Sequence, residues 1–160
     1  MNQFNSDPMT LAIDEARRTM REGVGGPFGA AIVDSKTGEV VSVASNTVLR
    51  DNDPTAHAEM NAIRKACSKL NSRDLSGYTL YATGYPCPMC LSAIIWANIS
   101  TVYYGCEPID ADSIGFRDDF IYDFIESHNS DESVLRLIPT DKSKCISLYN
   151  EYAESNKEIY

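Results

Sequence analysis

The chain of 160 residues has no long apolar run. A membrane-spanning helix needs about 20 consecutive apolar residues, whereas the longest nearly apolar stretch here is Leu91–Ala97. The first residues, Met1–Asp7, show neither the basic region nor the apolar region of a secretion signal. We therefore predict a cytoplasmic protein that makes no membrane contact.

Basic residues are also scarce. The sequence has 14 Lys and Arg against 23 Asp and Glu, a formal net charge of −9. Most of this excess is carboxy-terminal, because residues 1–105 are nearly neutral whereas residues 106–160 are strongly acidic. Nucleic-acid-binding proteins neutralise phosphates with Lys and Arg. The charge therefore argues against a polynucleotide partner, although it leaves room for a small basic patch.

The cysteines are too few, and odd in number, for a disulfide framework. The 5 cysteines are an odd number and no secretion signal accompanies them. In a reducing compartment, the closely spaced Cys87 and Cys90 indicate metal or redox chemistry instead.

The pattern of apolar residues predicts an α/β fold in one domain. The expected order is α-β-β-α-β-α-β-α-(β)-α, with Leu135–Ile138 as the final strand and helices on both faces of one mixed sheet. One predicted helix begins at His57 and buries a stripe of residues at helical spacing, namely Met60, Ile63, Cys67 and Leu70.

Two short segments carry the chemistry of the sequence. Thr55–Glu59 contains His57, and Pro86–Cys90 contains Cys87 and Cys90, ligand types that zinc prefers. Each segment runs from a loop into a predicted helix, whose N-terminus favours thiolate over thiol. Three protein ligands leave the fourth tetrahedral position of a zinc ion for water.

Glu59 is the candidate catalytic base. Two thiolates and a neutral imidazole cancel the charge of Zn²⁺, so the ion acidifies its water less than a site with three histidines does. A carboxylate beside the water is then needed, and Glu59 stands two residues after His57.

Two other interpretations of the cysteine pair remain open at this point. The pair could be a redox couple, although that would not explain the His57-Ala58-Glu59 segment. It could also be half of a structural zinc site, whose fourth ligand would be Cys67, Cys106 or His128.

The combination of His-x-Glu with Pro-Cys-x-x-Cys resembles the zinc-dependent cytidine deaminase superfamily. The resemblance implies a single deaminase domain over residues 1–160, a three-layer α/β/α sandwich with a five-stranded mixed sheet, and one zinc per chain. It also implies hydrolytic deamination, in which an activated water attacks an amine-bearing ring carbon, Glu59 moves the protons and ammonia leaves.

Four further segments resemble the bacterial guanine deaminases within this superfamily: Gly25–Gly29, Asn52–Glu59, Ser113–Tyr122 and the terminal Tyr160. This resemblance implies conversion of guanine to xanthine in purine catabolism, with Asp118 as a second acidic group near the leaving amine. It further implies homodimers in which the acidic segment 106–160 crosses to the partner subunit.

The same resemblance implies a set of substrate contacts. Asn46 and the main-chain amide of Ala58 would hydrogen-bond the base, and the remaining residues would enclose it: Phe28, Trp96, Phe116 and Tyr160. All of these side chains also have an ordinary structural interpretation. Asn46 would be a turn residue, Trp96 and Phe116 would be core aromatics, and Asp118 would be a helix cap or an acid in the first turn of a helix. Phe28 would mark the entry to a strand, and Tyr160 would be a frayed chain end.

Other functions remain as alternatives. A cytosine or tRNA adenosine deaminase would share the same zinc motifs, and a non-catalytic, zinc-stabilised binding module would share the ligands. Glu59 argues against the last, because a structural site has no use for a free carboxylate. The residue before Pro86 is Tyr85, where related deaminases often have Glu.

Overall fold

The computed structural model describes residues 7–160. Residues 1–6, in which no secretion signal is predicted, lie outside the described part of the chain. The chain divides into two compact units, the first ending at Asp119 and the second spanning Phe120–Tyr160. A single deaminase domain over the whole length stays a prediction.

A four-stranded mixed sheet forms the centre of the first unit. Its strands are β1 (Gly29–Asp34), β2 (Val40–Ser45), β3 (Tyr78–Gly84) and β4 (Thr101–Cys106). Their spatial order is β2-β1-β3-β4, with β1 antiparallel to both neighbours and β3 parallel to β4. The predicted mixed sheet is confirmed, and β1 and β2 form an antiparallel hairpin.

Helices cover both faces of this sheet. The helices of the first unit are α1 (Pro8–Arg21), α2 (Val48–Asp51), α3 (Ala58–Leu70), α4 (Pro88–Trp96) and α5 (Pro108–Ser113). Asp7 caps α1 by accepting a hydrogen bond from the Thr10 amide, and Pro8 occupies the first turn. α1 packs on the face to which Gly29 belongs, whereas α3 packs on the face of Ala30 and Ile32.

Alanines, rather than larger side chains, form the most deeply buried stripe of α3. Ala58, Ala62 and Ala66 are fully buried, and their small side chains let α3 approach the sheet so closely that Ser42 Oγ donates to the Ala62 carbonyl at 2.9 Å. The members of the predicted stripe are half-buried beside these alanines, and all except Met60 pack against the core: Met60, Ile63, Cys67 and Leu70.

The prediction of a fifth strand is wrong. Residues 135–138 have no regular secondary structure, and the sheet has four strands within residues 7–160. A strand needs a neighbour for its backbone groups, and in the described chain β4 pairs with β3 alone. The apolar residues Leu135, Leu137 and Ile138 are instead exposed.

The second unit contains the two remaining helices. α6 (Asp119–Glu126) begins directly after Asp118, and α7 (Lys142–Glu154) is the last helix of the predicted order. Several apolar side chains of α7 are exposed: Ile146, Leu148, Tyr149 and Tyr152. Within residues 7–160, every helix is too short or too polar to cross a bilayer.

Candidate active site

Two helix N-termini bring the predicted metal ligands together. His57 is the N-cap residue of α3, and Cys87 is the N-cap residue of α4, which Pro88 then opens. Neither side chain caps its own helix. Both instead face a common point, which Cys90 reaches from the first turn of α4. The partial positive charge of the helix termini favours the thiolate form of the cysteines there.

The distances among these three side chains fit a tetrahedral zinc site. His57 Nδ1 lies 3.6 Å from the sulfur of Cys87 and 3.6 Å from that of Cys90. With zinc–nitrogen and zinc–sulfur bonds of about 2.05 and 2.3 Å, tetrahedral angles place nitrogen and sulfur about 3.6 Å apart. The residues present therefore fit zinc, with Nδ1 as the histidine ligand atom.

The electrostatics of the cluster also suit a cation. The hydrogen bond from Cys90 lowers the pKa of Cys87 to about 4. The hydrogen bond with Cys87 raises the pKa of His57, although burial opposes this rise. The site thus brings together a thiolate, a thiol and an imidazole. A divalent cation that binds there displaces the protons of the thiol and of the imidazole.

A structural site with four protein ligands is not what the geometry provides. Within residues 7–160, the group of candidate ligand atoms contains His57, Cys87 and Cys90 alone. Cys67 and Cys106, two of the possible fourth ligands, lie outside it. Three protein ligands are typical of catalytic rather than structural zinc sites.

Two carboxylates lie beside the cluster. Glu59, in the first turn of α3, is only 7% exposed, and this burial raises its pKa. Asp118 immediately precedes α6, and its pKa is raised by burial and by the negative charge of Cys87. A carboxyl group with a raised pKa exchanges protons more readily near neutral pH than an ordinary one.

A pocket of about 510 Å³ opens onto this cluster. It is large enough for a small ring compound. Five of the predicted site residues line it in addition to two of the metal ligands, His57 and Cys87. These five are Phe28, Asn46, Glu59, Phe116 and Asp118.

The side-chain amide of Asn46 has a fixed orientation in this pocket. Its Oδ1 accepts hydrogen bonds from the backbone amides of Gly26 (3.3 Å) and Val48 (3.1 Å). Because these partners can only donate, the oxygen must face them, and Nδ2 remains for a ligand. A Cβ on Gly25 would lie 2.2 Å from the Asn46 carbonyl oxygen, so glycine is required there.

Phe28 and Phe116 form an aromatic wall. Their rings meet edge to face, with centroids 5.0 Å apart. A Cβ on Gly26 would lie 3.1 Å from the Phe28 ring and 3.2 Å from the Phe116 ring. The glycines before Phe28 therefore make room for the wall as well as for Asn46.

The structure does not bring Ala58 or Trp96 into this pocket, and the contact from Tyr160 stays a prediction. Ala58 is fully buried at the start of α3 and does not line the pocket. Trp96 ends α4 with 78% of its surface exposed, so the pocket of a single chain gives no support to its role as a wall. Tyr160 belongs to the second unit and is 83% exposed.

Several lining residues were not predicted from the sequence. Tyr85 and Glu107 line the pocket together with Arg117. Tyr85 packs edge to face on Tyr104, whose hydroxyl donates to Glu107 at 3.2 Å. Two of these residues had a signal in the sequence, because Tyr85 stands two residues before Cys87 and Arg117 stands between Phe116 and Asp118. Glu107 belongs to no motif.

Comparisons with known proteins agree with this geometry. Residues 2–106 match the family model described as the cytidine and deoxycytidylate deaminase zinc-binding region. The guanine deaminase of Bacillus subtilis (strain 168) is 45% identical over 123 residues, which cover 77% of this chain and 78% of that protein.

Two further similarities concern a tRNA-specific enzyme and a solved structure. The tRNA-specific adenosine deaminase of Aquifex aeolicus (strain VF5) is 45% identical over 96 residues, 60% of this chain and 62% of that protein. The X-ray structure of guanine deaminase from Bacillus subtilis has a TM-score of 0.86 and 37% identity, covering 100% of this chain and 99% of that one. The chain therefore belongs to the zinc-binding cytidine and deoxycytidylate deaminase family.

Proposed function

We propose that the protein is a cytoplasmic guanine deaminase, which converts guanine and water to xanthine and ammonia. The observation that carries the proposal is one pocket that joins a three-ligand metal cluster, two carboxylates and an oriented amide donor. The similarity to guanine deaminase over most of the chain supports the choice of substrate. The five free cysteines suit a reducing compartment.

Zinc would be held by His57, Cys87 and Cys90. When bound, the ion would lower the pKa of a water molecule. Glu59 would accept the proton of the attacking water, because the two cysteine thiolates would cancel much of the charge of the ion. The same carboxyl group then delivers the proton to the substrate, which it can do because its raised pKa favours reprotonation.

Asp118 is the second acid in this mechanism. Its carboxyl group lines the same pocket as Glu59, and burial and the charge of Cys87 raise its pKa. Guanine carries the leaving amine at C2, beside the N–H group of ring atom N1. A carboxylate there accepts hydrogen bonds from these groups, and a protonated carboxyl donates one. We assign Asp118 to the region of the leaving amine.

Asn46 would select the base through its donor group. Guanine presents acceptors at its ring nitrogens and its carbonyl oxygen, whereas adenine has an amine in place of that carbonyl. With Oδ1 of Asn46 already bonded to two backbone amides, only Nδ2 is left to meet the substrate. Phe28 and Phe116 would enclose the rings, while contacts from the Ala58 amide, Trp96 and Tyr160 remain proposals from resemblance.

The charges around the pocket favour a neutral base over a phosphorylated substrate. Arg117 is the single Lys or Arg among the described lining residues. Its guanidinium is already paired with Asp112 (3.3 Å) and Asp119 (2.5 Å). Glu59, Glu107 and Asp118 add negative charge, which repels phosphate. The negative charge at the pocket therefore disfavours the binding of a nucleotide or a tRNA.

A substrate panel tests the proposal. We expect guanine to be converted to equimolar xanthine and ammonia, with a kcat/KM at least about 10²-fold above those for adenine and cytosine, because a fixed donor penalises bases that lack the matching acceptor. Ultraviolet difference spectra and an ammonia assay would measure the turnover.

The same panel includes tRNA, because similarity to tRNA-specific adenosine deaminases favours that alternative. Turnover of cytosine alone, or inosine formation in tRNA without turnover of guanine, would contradict the proposed substrate. Absence of any turnover in the zinc-loaded protein would support a binding module instead.

We also propose that the protein is a homodimer in which the acidic segment 106–160 contributes to the partner. Support comes from apolar side chains left exposed at the end of α4, Ile95 and Trp96, and on the edge strand β4, Tyr103. Exposed side chains of this size commonly mark interfaces. A second copy is the occupant that the family resemblance implies.

Native mass measurement tests the dimer. We expect twice the chain mass of 17.7 kDa, and we expect Ile95→Glu to shift the protein towards monomer because the substitution places a charge in an apolar interface. Ser68→Glu, a matched change at an exposed position of α3, serves as the control. A monomeric mass for the unaltered protein at micromolar concentration would contradict the proposal.

A further inference from the structure

Asn61 forms a concentrated set of hydrogen bonds next to the pocket. It lies on α3, two residues after Glu59. Its Nδ2 lies 2.9 Å from the carbonyl oxygen of Ser45, 2.9 Å from Thr47 Oγ1 and 3.3 Å from the carbonyl oxygen of Ala56. Carbonyl oxygens can only accept hydrogen bonds, so the NH₂ end of Asn61 must face them.

These three acceptors are next in the sequence to two residues that line the pocket, Asn46 and His57. Ser45 and Thr47 are the residues on either side of Asn46, and Ala56 directly precedes His57. The Asn61 side chain therefore hydrogen-bonds both to the segment that contains Asn46 and to the segment that leads into His57. Asn61 itself does not line the pocket.

The network continues to the protein surface through Thr47. The Thr47 hydroxyl accepts from Asn61 and donates to Asp51 Oδ2 at 2.6 Å. Asp51 is held in turn by the guanidinium of Arg50, and the pKa of Asp51 is lowered by these hydrogen bonds. The Thr47 backbone amide also donates to the Ala56 carbonyl at 2.9 Å. Chains of this kind fix each member more firmly than isolated hydrogen bonds do.

We propose that Asn61 is a positioning residue for base recognition, because it holds the Asn46 amide at a fixed place relative to Glu59 on α3. This inference rests on the proposed function, in which Asn46 donates to the base. Asn61 acts through Asn46 and makes no contact with the substrate. It determines how well the base is oriented for attack, so its loss raises KM and lowers kcat/KM while the metal ligands stay in place.

A double-mutant cycle tests the inference. Asn61→Asp keeps the size of the side chain but places an oxygen against the acceptors of Ser45 and Ala56. We expect it to lower kcat/KM for guanine by about tenfold, chiefly through KM, with the zinc content unchanged. In an Asn46→Ala background, the same substitution should change kcat/KM by less than about threefold. Equal losses in both backgrounds would show a merely structural role and overturn the proposal.

Two further variants keep the test decisive. Thr47→Val removes one acceptor of the network and should show the same dependence on Asn46, so it replaces Asn61→Asp if that protein fails to fold. Lys65→Met is the matched control, because Lys65 also joins α3 to β2, through the carbonyl of Val43 at 3.0 Å, away from Asn46. The control should leave kcat/KM within about twofold of its original value.

Amide hydrogen exchange separates this inference from the proposed function. The backbone amides of Gly26 and Val48 donate to Asn46 Oδ1 and therefore report the position of Asn46 without any substrate. Faster exchange at both amides in Asn61→Asp, but not in Lys65→Met, supports the inference even if the protein does not turn over guanine. Unchanged exchange at both amides overturns it.

Discussion

Replacement of Glu59 by glutamine is expected to leave the zinc content unchanged and to lower kcat by about 10⁴-fold, the upper end of the range for a general acid–base group. Glutamine keeps the shape of the side chain and can neither accept nor deliver the proton. The effect is large because one carboxyl group serves both proton transfers. Steady-state turnover of guanine and metal analysis of the same preparation measure the two quantities.

The burial of Glu59 makes the interpretation of this variant clear. The carboxylate is only 7% exposed, so bulk water cannot easily replace it as a proton carrier. Glu15→Gln is the control, because Glu15 is a partly buried glutamate on α1, where it pairs with Arg18. The control should retain its turnover. Full activity in Glu59→Gln would exclude Glu59 as the base, and loss of zinc would instead identify it as a ligand.

The metal site could be predicted from the sequence because its parts are local. His57 and Glu59 share one helical turn, and Cys87 and Cys90 share another. Each segment enters a helix whose apolar pattern is visible in the sequence. The structure adds the fact that both helices begin at the ligands themselves, which brings two helix N-termini to the same point.

The orientation of Asn46 could not be predicted in this way. Its two hydrogen-bond donors include Gly26, which is 20 residues distant in the sequence. Asn61 reaches Ser45 across 16 residues. Such contacts depend on how α3 packs against β2, and no local spacing encodes that packing. Glu107 was missed as a lining residue because it belongs to no motif, whereas Arg117 was missed although it stands between Phe116 and Asp118.

Apolar patterns alone were incomplete in one place and misleading in another. The predicted stripe of α3 is half-buried, and the pattern did not show that close packing against the sheet favours alanine, whose burial is complete at 58, 62 and 66. The run at 135–138 was expected to be a strand, yet a strand is defined by its neighbour. Short apolar runs specify burial or an interface more reliably than they specify backbone geometry.

Substitution of Cys90 by alanine is expected to abolish zinc retention and turnover together and to lower thermal stability. Cys90 is fully buried, so the change removes a ligand and leaves a cavity. Zinc bound to the folded chain stabilises it by mass action. Each kcal/mol lost should lower Tm by about 2–4 °C for a chain of this size. Metal analysis and calorimetry measure the two effects, and Cys145→Ala, at an exposed cysteine, is the control.

The contribution of zinc can be separated from that of the cavity. A strong chelator should lower the Tm of the unaltered protein towards that of Cys90→Ala, and the difference that remains then belongs to the missing side chain. Acidification should act in the same direction as the chelator, because protons compete with zinc for His57 and for the thiolates as pH falls. A Cys90→Ala protein that retains one zinc per chain would contradict the assigned ligand set, since two ligands do not hold zinc through dialysis against a chelator.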